Sequence, residues 1–144
     1  MPQAFAVGEL SIRLSRQAGN AAYQPWEVQL SGADGATLTH DGKQWPLPYE
    51  PKDVVALLNA LFEIHFFDLP TRYSTQEVAQ LLDDGSVRLI GKSTSSAGGN
   101  SVCVRIAAFE RCVRYGLRAP LELDRLFQRT FVDAHRAANQ PTTK

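Results

Sequence analysis

The sequence predicts an α+β fold, in which an antiparallel sheet of about five to six strands carries two main helices on one face. Several segments alternate apolar and polar residues with the period of a half-buried strand, and two longer segments have helical spacing. Asp-Gly pairs between the first strands are typical of hairpin turns, whereas crossover helices are absent there. Hairpins join antiparallel strands, which is why we expect the sheet to be antiparallel.

The length and the charge of the chain limit the classes of protein that it can represent. Its 144 residues suffice for one hydrophobic core, so we expect a single domain over 1–144, with 137–144 as a frayed tail. Fifteen basic and 15 acidic residues give a net charge of zero, which argues against a dedicated nucleic-acid binder or a polybasic membrane-surface protein.

No secretory signal or membrane-spanning segment is recognisable at the sequence level. The first ten residues lack a basic start and a long apolar run, and no stretch approaches the roughly 18 apolar residues of a membrane span. As given, the chain is expected to be cytoplasmic. A periplasmic location stays open, since removal of a signal peptide would leave the same sequence.

The first half of the chain is predicted to form a meander of strands. Leu10, Ile12 and Leu14 alternate with polar residues, and Trp26, Val28 and Leu30 do the same. Asp34-Gly35 is the predicted turn into a third strand over 36–40, and Asp41-Gly42 is predicted to form a further turn. Prolines at 46 and 48 confine the next extended segment to a sheet edge or a connection.

Two segments have the apolar spacing of buried helices. Pro51–Pro70 predicts the main core helix up to about position 65, after which Phe66, Phe67 and Leu69 leave the helical spacing. Its predicted buried stripe consists of Val54, Leu57, Leu58, Leu61, Phe62 and His65. Pro120 opens the second helix, whose predicted apolar face consists of Leu123, Leu126, Phe127, Phe131 and Ala134.

The segment between the helices is predicted to contain more strands. Residues 86–92, 102–106 and 111–115 have strand patterns, whereas 107–111 is compatible with either a turn or a helix. Ser74, Thr75, Gln76 and Glu77 resemble a capping box, which predicts a short helical turn over 76–82.

No motif for catalysis, cofactor binding or metal binding is recognisable. Gly85 to Ser93 resembles a P-loop, but five strand-forming residues separate its glycines and no helix begins at Lys92. His40, His65 and His135 lack a second ligand at the spacing of a known metal site. Glu63 and Asp68 flank His65, but helical geometry places Glu63 and His65 on different sides of the helix, which argues against a catalytic cluster. We therefore expect a non-enzymatic protein without a cofactor.

Three arginines are the candidate protein-binding residues. Arg88, Arg105 and Arg114 lie on predicted strands, opposite apolar neighbours, and would form a basic stripe on the solvent face if those strands pair. Guanidinium groups bind carboxylates in a bidentate manner, so an acidic protein or ligand would suit such a stripe. An ordinary solvated sheet face is the alternative.

The two cysteines, Cys103 and Cys112, exclude a four-cysteine metal site. They are far enough apart to face each other across a hairpin. In a cytoplasmic setting, however, we expect unpaired thiols.

The order of elements resembles a family of small bacterial domains of unknown function. Three stretches carry the resemblance: Trp26–Gly35; Val54–Tyr73, with its Phe-Phe-Asp-Leu segment; and Val113–Phe127, with Pro120. Many members of that family resemble exported proteins and carry a Cys-Pro pair before the second strand, whereas this chain has Gln24-Pro25 there. The resemblance implies the fold and no known activity.

The sequence leaves two functional hypotheses. The first is a non-enzymatic protein-interaction domain of bacterial origin, for example an inhibitor or immunity-type protein, with a protein partner and without nucleic acid or membrane. The second is a small-ligand-binding protein or enzyme, with its site between the sheet and the Ser93–Asn100 loop. Whether the chain forms a homodimer stays open.

Overall fold

The computed structural model describes residues 1–17, 25–70, 72–73, 75–93, 99–115 and 121–139. The chain folds as α+β, as predicted, with nine strands and two α-helices in this part. In chain order the elements are β1 (Leu10–Gln17), β2 (Trp26–Ser31), β3 (Gly35–His40), β4 (Lys43–Leu47), α1 (Pro51–Glu63), β5 (Arg72–Tyr73), β6 (Thr75–Leu81), β7 (Val87–Ser93), β8 (Gly99–Ile106), β9 (Phe109–Tyr115) and α2 (Leu121–Asn139).

The main sheet has the strand order β4-β3-β2-β1-β8-β9-β5. Six of its strands are antiparallel, and the short β5 pairs with β9 in parallel. β1 pairs with β8 over eight register pairs, and this long-range pairing joins the N-terminal meander to the C-terminal hairpin. β6 and β7 form a separate two-stranded ribbon.

The turns of the meander follow the predicted chemistry. Asp41 and Gly42 form a two-residue turn between β3 and β4, with φ angles of 51° and 74°. Positive φ at both central residues is the requirement of a type I′ hairpin, which Asp-Gly meets at low steric cost. β4 is an edge strand, as its proline predicts.

Both helices cover the same face of the main sheet and share one hydrophobic core with it. The five predicted apolar positions of α2 are all buried. In α1, Val54, Leu58 and Leu61 are buried, but Phe62 is 45% exposed. The predicted stripe of α1 was therefore too wide: the helix ends at Glu63, and His65 adopts a left-handed conformation that turns the chain into a short 3₁₀ segment.

The predicted helical turn over 76–82 is wrong. Residues 76–81 belong to β6, which pairs with β7 along its full length, and Asp84 and Gly85 form the intervening turn. A capping box satisfies only local N–H groups, whereas the ribbon satisfies backbone groups of seven register pairs. The cross-strand pairing therefore outweighs the local signal. Residues 107–108 form the turn of the β8–β9 hairpin rather than a helix.

At the C-terminus, α2 continues through Asn139, so that residues 137–139 of the predicted tail are helical. Positions 140–144 lie outside the described residues.

Candidate functional site

The face of the main sheet opposite the helices carries the candidate site, which we call the outer face. Strand residues alternate between the two faces, so every residue that neighbours a core position along a strand points to the outer face. On β1, β8 and β9, these positions are Ser11, Arg13, Ser15, Ser101, Cys103, Arg105, Glu110, Cys112 and Arg114. This surface is polar, with three arginines near its centre.

The structure brings together two of the three predicted arginines. Arg105 on β8 and Arg114 on β9 are both exposed on the outer face. Arg88 is exposed on β7, which pairs with β6 in the separate ribbon. The three side chains therefore do not form one stripe.

Arg13, and not Arg88 as predicted, is the third arginine near the centre of the outer face. Its register partner on β8 is Cys103, so it lies between the rows of Arg105 and Arg114. Its Nε lies 3.9 Å from Glu27 Oε1, and half of the Arg13 side chain is exposed. The alternation of β1 predicted that Arg13 faces away from the core, but no local signal showed that β1 pairs with β8.

Cys103 and Cys112 form a disulfide at the centre of the outer face, which corrects the expectation of unpaired thiols. The two residues are direct register partners in the β8–β9 hairpin, and their Cα atoms lie 4.1 Å apart. Register partners on neighbouring strands are close enough for their thiols to join. Arg13 also reaches this site, with Nη2 4.0 Å from Cys103 Sγ.

A concave depression of about 230 Å³ lies on the outer face, beside the arginines. Arg13, Ser15, Ser101 and Arg114 line it, together with Gly99 and Asn100 at the start of β8. Two guanidinium groups and two hydroxyls beside one small cavity can hold a carboxylate or another oxyanion. Residues 94–98 of the alternative predicted site lie outside the described residues, but the end of that loop contributes to this depression.

The histidines occupy two separate regions. His40 stacks on Trp26 with a centroid distance of 3.8 Å, and His135 contacts the edge of the same ring at 4.6 Å. Burial lowers the pKa of His135, and the charges of Arg16 and His40 lower it further. His65 is exposed beside Asp68 instead. Within the described ranges, no group of three or more His, Cys, Asp or Glu residues is arranged to hold a metal ion.

A second concave feature separates the two helices on the other side of the sheet. This interhelical groove has a volume of about 460 Å³. Its floor is apolar, and charged residues of both helices line its rim. No sequence signal predicted it, because its walls come from helices that are distant in the chain.

No protein-family model matches the chain, and no curated protein or solved structure matches it. The outer face and the groove are therefore the features that bear on function. Neither helix in the described part of the chain has the length and apolar character to span a membrane.

Proposed function

We propose that the protein is a non-enzymatic interaction domain, and that its outer face binds an acidic surface of a partner protein. The observation that carries this proposal is the grouping of three exposed arginines, Arg13, Arg105 and Arg114, on one sheet face. Glu27 and Glu110 lie on the same face, and Glu9 and Asp34 line a depression beside Arg105, so the proposal depends on the guanidinium groups and not on a net positive charge. Guanidinium groups are well suited to bidentate recognition of carboxylates.

The size of the outer face is compatible with a protein partner. Strands about 4.8 Å apart with a rise of about 3.3 Å per residue give six strands of six residues a flat area of roughly 500 Å². A standard protein interface buries roughly 800 Å² per partner, so the outer face with its surrounding loops has the appropriate scale. Ser11, Ser15 and Ser101 have small side chains, and they line shallow depressions between its arginines.

A nucleic-acid partner is less well supported. Stacking aromatic side chains are the common means by which proteins bind unpaired bases. Trp26, Trp45 and Tyr115 of the main sheet instead pack on its core-facing side. An inhibitor or immunity-type protein is one specific form of the proposed function, in which the outer face covers an acidic surface of a toxin.

The disulfide favours an oxidising compartment over the cytoplasm. Disulfides persist in the periplasm and outside the cell, and they are rare in the reducing cytoplasm. Alkylation of free thiols in freshly lysed native cells, followed by mass spectrometry, would measure the oxidised fraction of Cys103 and Cys112. We expect both to be protected, and full labelling would contradict the proposed compartment.

The test of the proposed interaction compares captured proteins between matched variants. The double variant Arg105→Glu with Arg114→Glu reverses two charges on the outer face. Arg88→Glu makes the same type of change on the separate ribbon and serves as the control. Each tagged protein is used to capture binding proteins from native lysate, and circular dichroism confirms that each is folded.

We expect the wild-type protein and Arg88→Glu to capture the same stoichiometric partner. The double variant should not capture it. Equal capture by all three proteins would exclude the outer face as the binding surface. If no stoichiometric partner is captured by the wild-type protein, the interaction function itself is rejected.

A further inference from the structure

The interhelical groove has the size and the lining of a small-molecule site. Its volume of about 460 Å³ is within the roughly 300–1,000 Å³ typical of ligand pockets. Leu30 of β2, Leu57 and Ala60 of α1 and Ala137 of α2 give it an apolar lining. The alanines are too small to fill the space between the helices, which leaves room for an apolar group.

Two carboxylates line the groove from opposite helices. Asp53 lies in the first turn of α1, and Asp133 lies in the C-terminal half of α2. Tyr49 lines the groove with them: burial raises the pKa of its phenol, and the charges of Asp133 and Asp53 raise it further. One Asp53 oxygen accepts the backbone N–H of Glu50 at 2.7 Å. The other oxygen accepts no hydrogen bond from the residues that the structure describes.

Two cationic side chains line the same groove. Arg129 and Arg136 are both on α2, and both are exposed. The ion pairs within 4.0 Å among the described residues involve other groups, so neither arginine is neutralised by Asp53 or Asp133 at that distance. The groove thus presents charges of both signs around an apolar floor, with Asp133 about one helical turn from each arginine.

We propose that the interhelical groove binds a short apolar peptide with free termini, of about dipeptide size. The ammonium group of such a zwitterion would bind Asp53 and Asp133, and its carboxylate would bind Arg129 and Arg136. Its apolar side chains would cover the alanine and leucine floor. A zwitterion is the class of ligand that offers a counter-charge to the carboxylates and to the arginines at the same time. The groove lies on the helical side of the sheet, so this proposal is independent of the outer face.

The dipeptide Leu-Phe is the probe, and its blocked forms separate the contributions of the two termini. Acetylation removes the ammonium charge, and C-terminal amidation removes the carboxylate charge. Isothermal titration calorimetry measures affinity, and ¹⁵N-¹H NMR spectra locate the binding site. We expect Leu-Phe to shift the resonances of Ala56, Ala60 and Ala137, and each blocked form to bind about tenfold more weakly, as loss of one charge-assisted contact implies.

Matched variants on α2 connect each terminus to its residues. Asp133→Asn is expected to weaken binding of Leu-Phe about tenfold and to leave binding of the acetylated form unchanged. Arg136→Gln is expected to do the same for the amidated form. Glu122→Gln and Arg125→Gln change exposed charges of α2 outside the groove and should have no effect.

Two results would overturn the proposal. The first is the absence of shifts at the groove with about 10 mM Leu-Phe, a concentration that populates even a millimolar complex. The second is equal binding of the free and the blocked dipeptides, which would show that the charged rim does not select the ligand. Arg105→Glu lies on the outer face and should leave dipeptide binding intact, so failure of one proposal is distinguishable from failure of the other.

Discussion

Loss of the disulfide between Cys103 and Cys112 is expected to lower the free energy of unfolding substantially. The bond joins residues nine positions apart, and the chain-entropy model gives a closed loop of this size about 2.5 kcal/mol of stabilisation. The native hairpin holds these residues together without the bond, since they are register partners in β8 and β9. The stabilisation therefore comes from the restriction of the unfolded chain, and the native structure should survive reduction.

Urea denaturation of the protein with and without dithiothreitol measures this effect. We expect a loss of about 2.5 kcal/mol, which corresponds to a melting temperature lower by roughly 5–10 °C in a domain of this size. Cys103→Ser and Cys112→Ser each remove the bond completely, so both single variants and the double variant should lose similar amounts. All three should be insensitive to reductant. An unchanged denaturation midpoint after reduction of the wild-type protein would refute the reasoning.

Three further predictions concern the core, a close backbone approach and pH. Phe127→Ala should cost about 3–5 kcal/mol in urea denaturation, because Phe127 is fully buried, whereas Val132→Ala at an exposed position should cost less than about 0.5 kcal/mol. Gly32→Ala should cost about 1–3 kcal/mol, since its new Cβ would lie 1.9 Å from Val7 O, while Gly8→Ala meets only ordinary contacts and should be near neutral. The pKa of His135 is lower in the folded protein than in the unfolded chain, so the unfolded chain takes up this proton at a higher pH. The free energy of unfolding should therefore fall as the pH drops below about 6.5 and level off below the folded pKa. His135→Gln should remove this part of the pH dependence.

The local structure of the N-terminal half could be predicted because its signals are local. The alternation around Ile12 and Val28 identifies strands, and the Asp-Gly pair at 41–42 identifies a turn that tolerates positive φ. The face of α2 was also predictable: apolar residues at helical spacing bury themselves whichever sheet they meet.

The ribbon of β6 and β7 could not be predicted in the same way. Its first strand begins with the sequence of a capping box, and the partner that makes it a strand lies in β7, beyond a separate turn. Pairing between segments is a property of the tertiary structure, and it overrides a local preference of about 1 kcal/mol. The end of α1 was mispredicted because His65 adopts a left-handed conformation there. Glycine or asparagine usually occupies such a position, so histidine gave no signal that the helix ends.

The candidate site was only partly visible in the sequence for a topological reason. Alternation along a strand shows which side chains point away from the core, and it did so for Arg105 and Arg114. It does not show which strands are neighbours. The pairing of β1 with β8 brings Arg13 to the centre, and the separation of β7 from the main sheet removes Arg88. The groove has the same origin, because its carboxylates come from two helices that no local pattern connects.

The position of the disulfide predicts an effect on binding that is separate from its effect on stability. Arg105 and Arg114 lie on the two strands that the bond joins, in the rows on either side of Cys103 and Cys112. A bond between these strands limits their relative movement, and a rigid surface loses less conformational entropy when it binds.

If the outer face binds a partner, the variant with serine at both cysteines should bind that partner more weakly at a temperature where it is still folded. The loss should appear mainly as faster dissociation in surface plasmon resonance, because most affinity differences at one interface lie in that rate. Dipeptide binding in the groove provides the internal control, since neither helix contains a cysteine of the bond. Equal dissociation rates for the two proteins would mean that the bond stabilises the fold without shaping the docking surface.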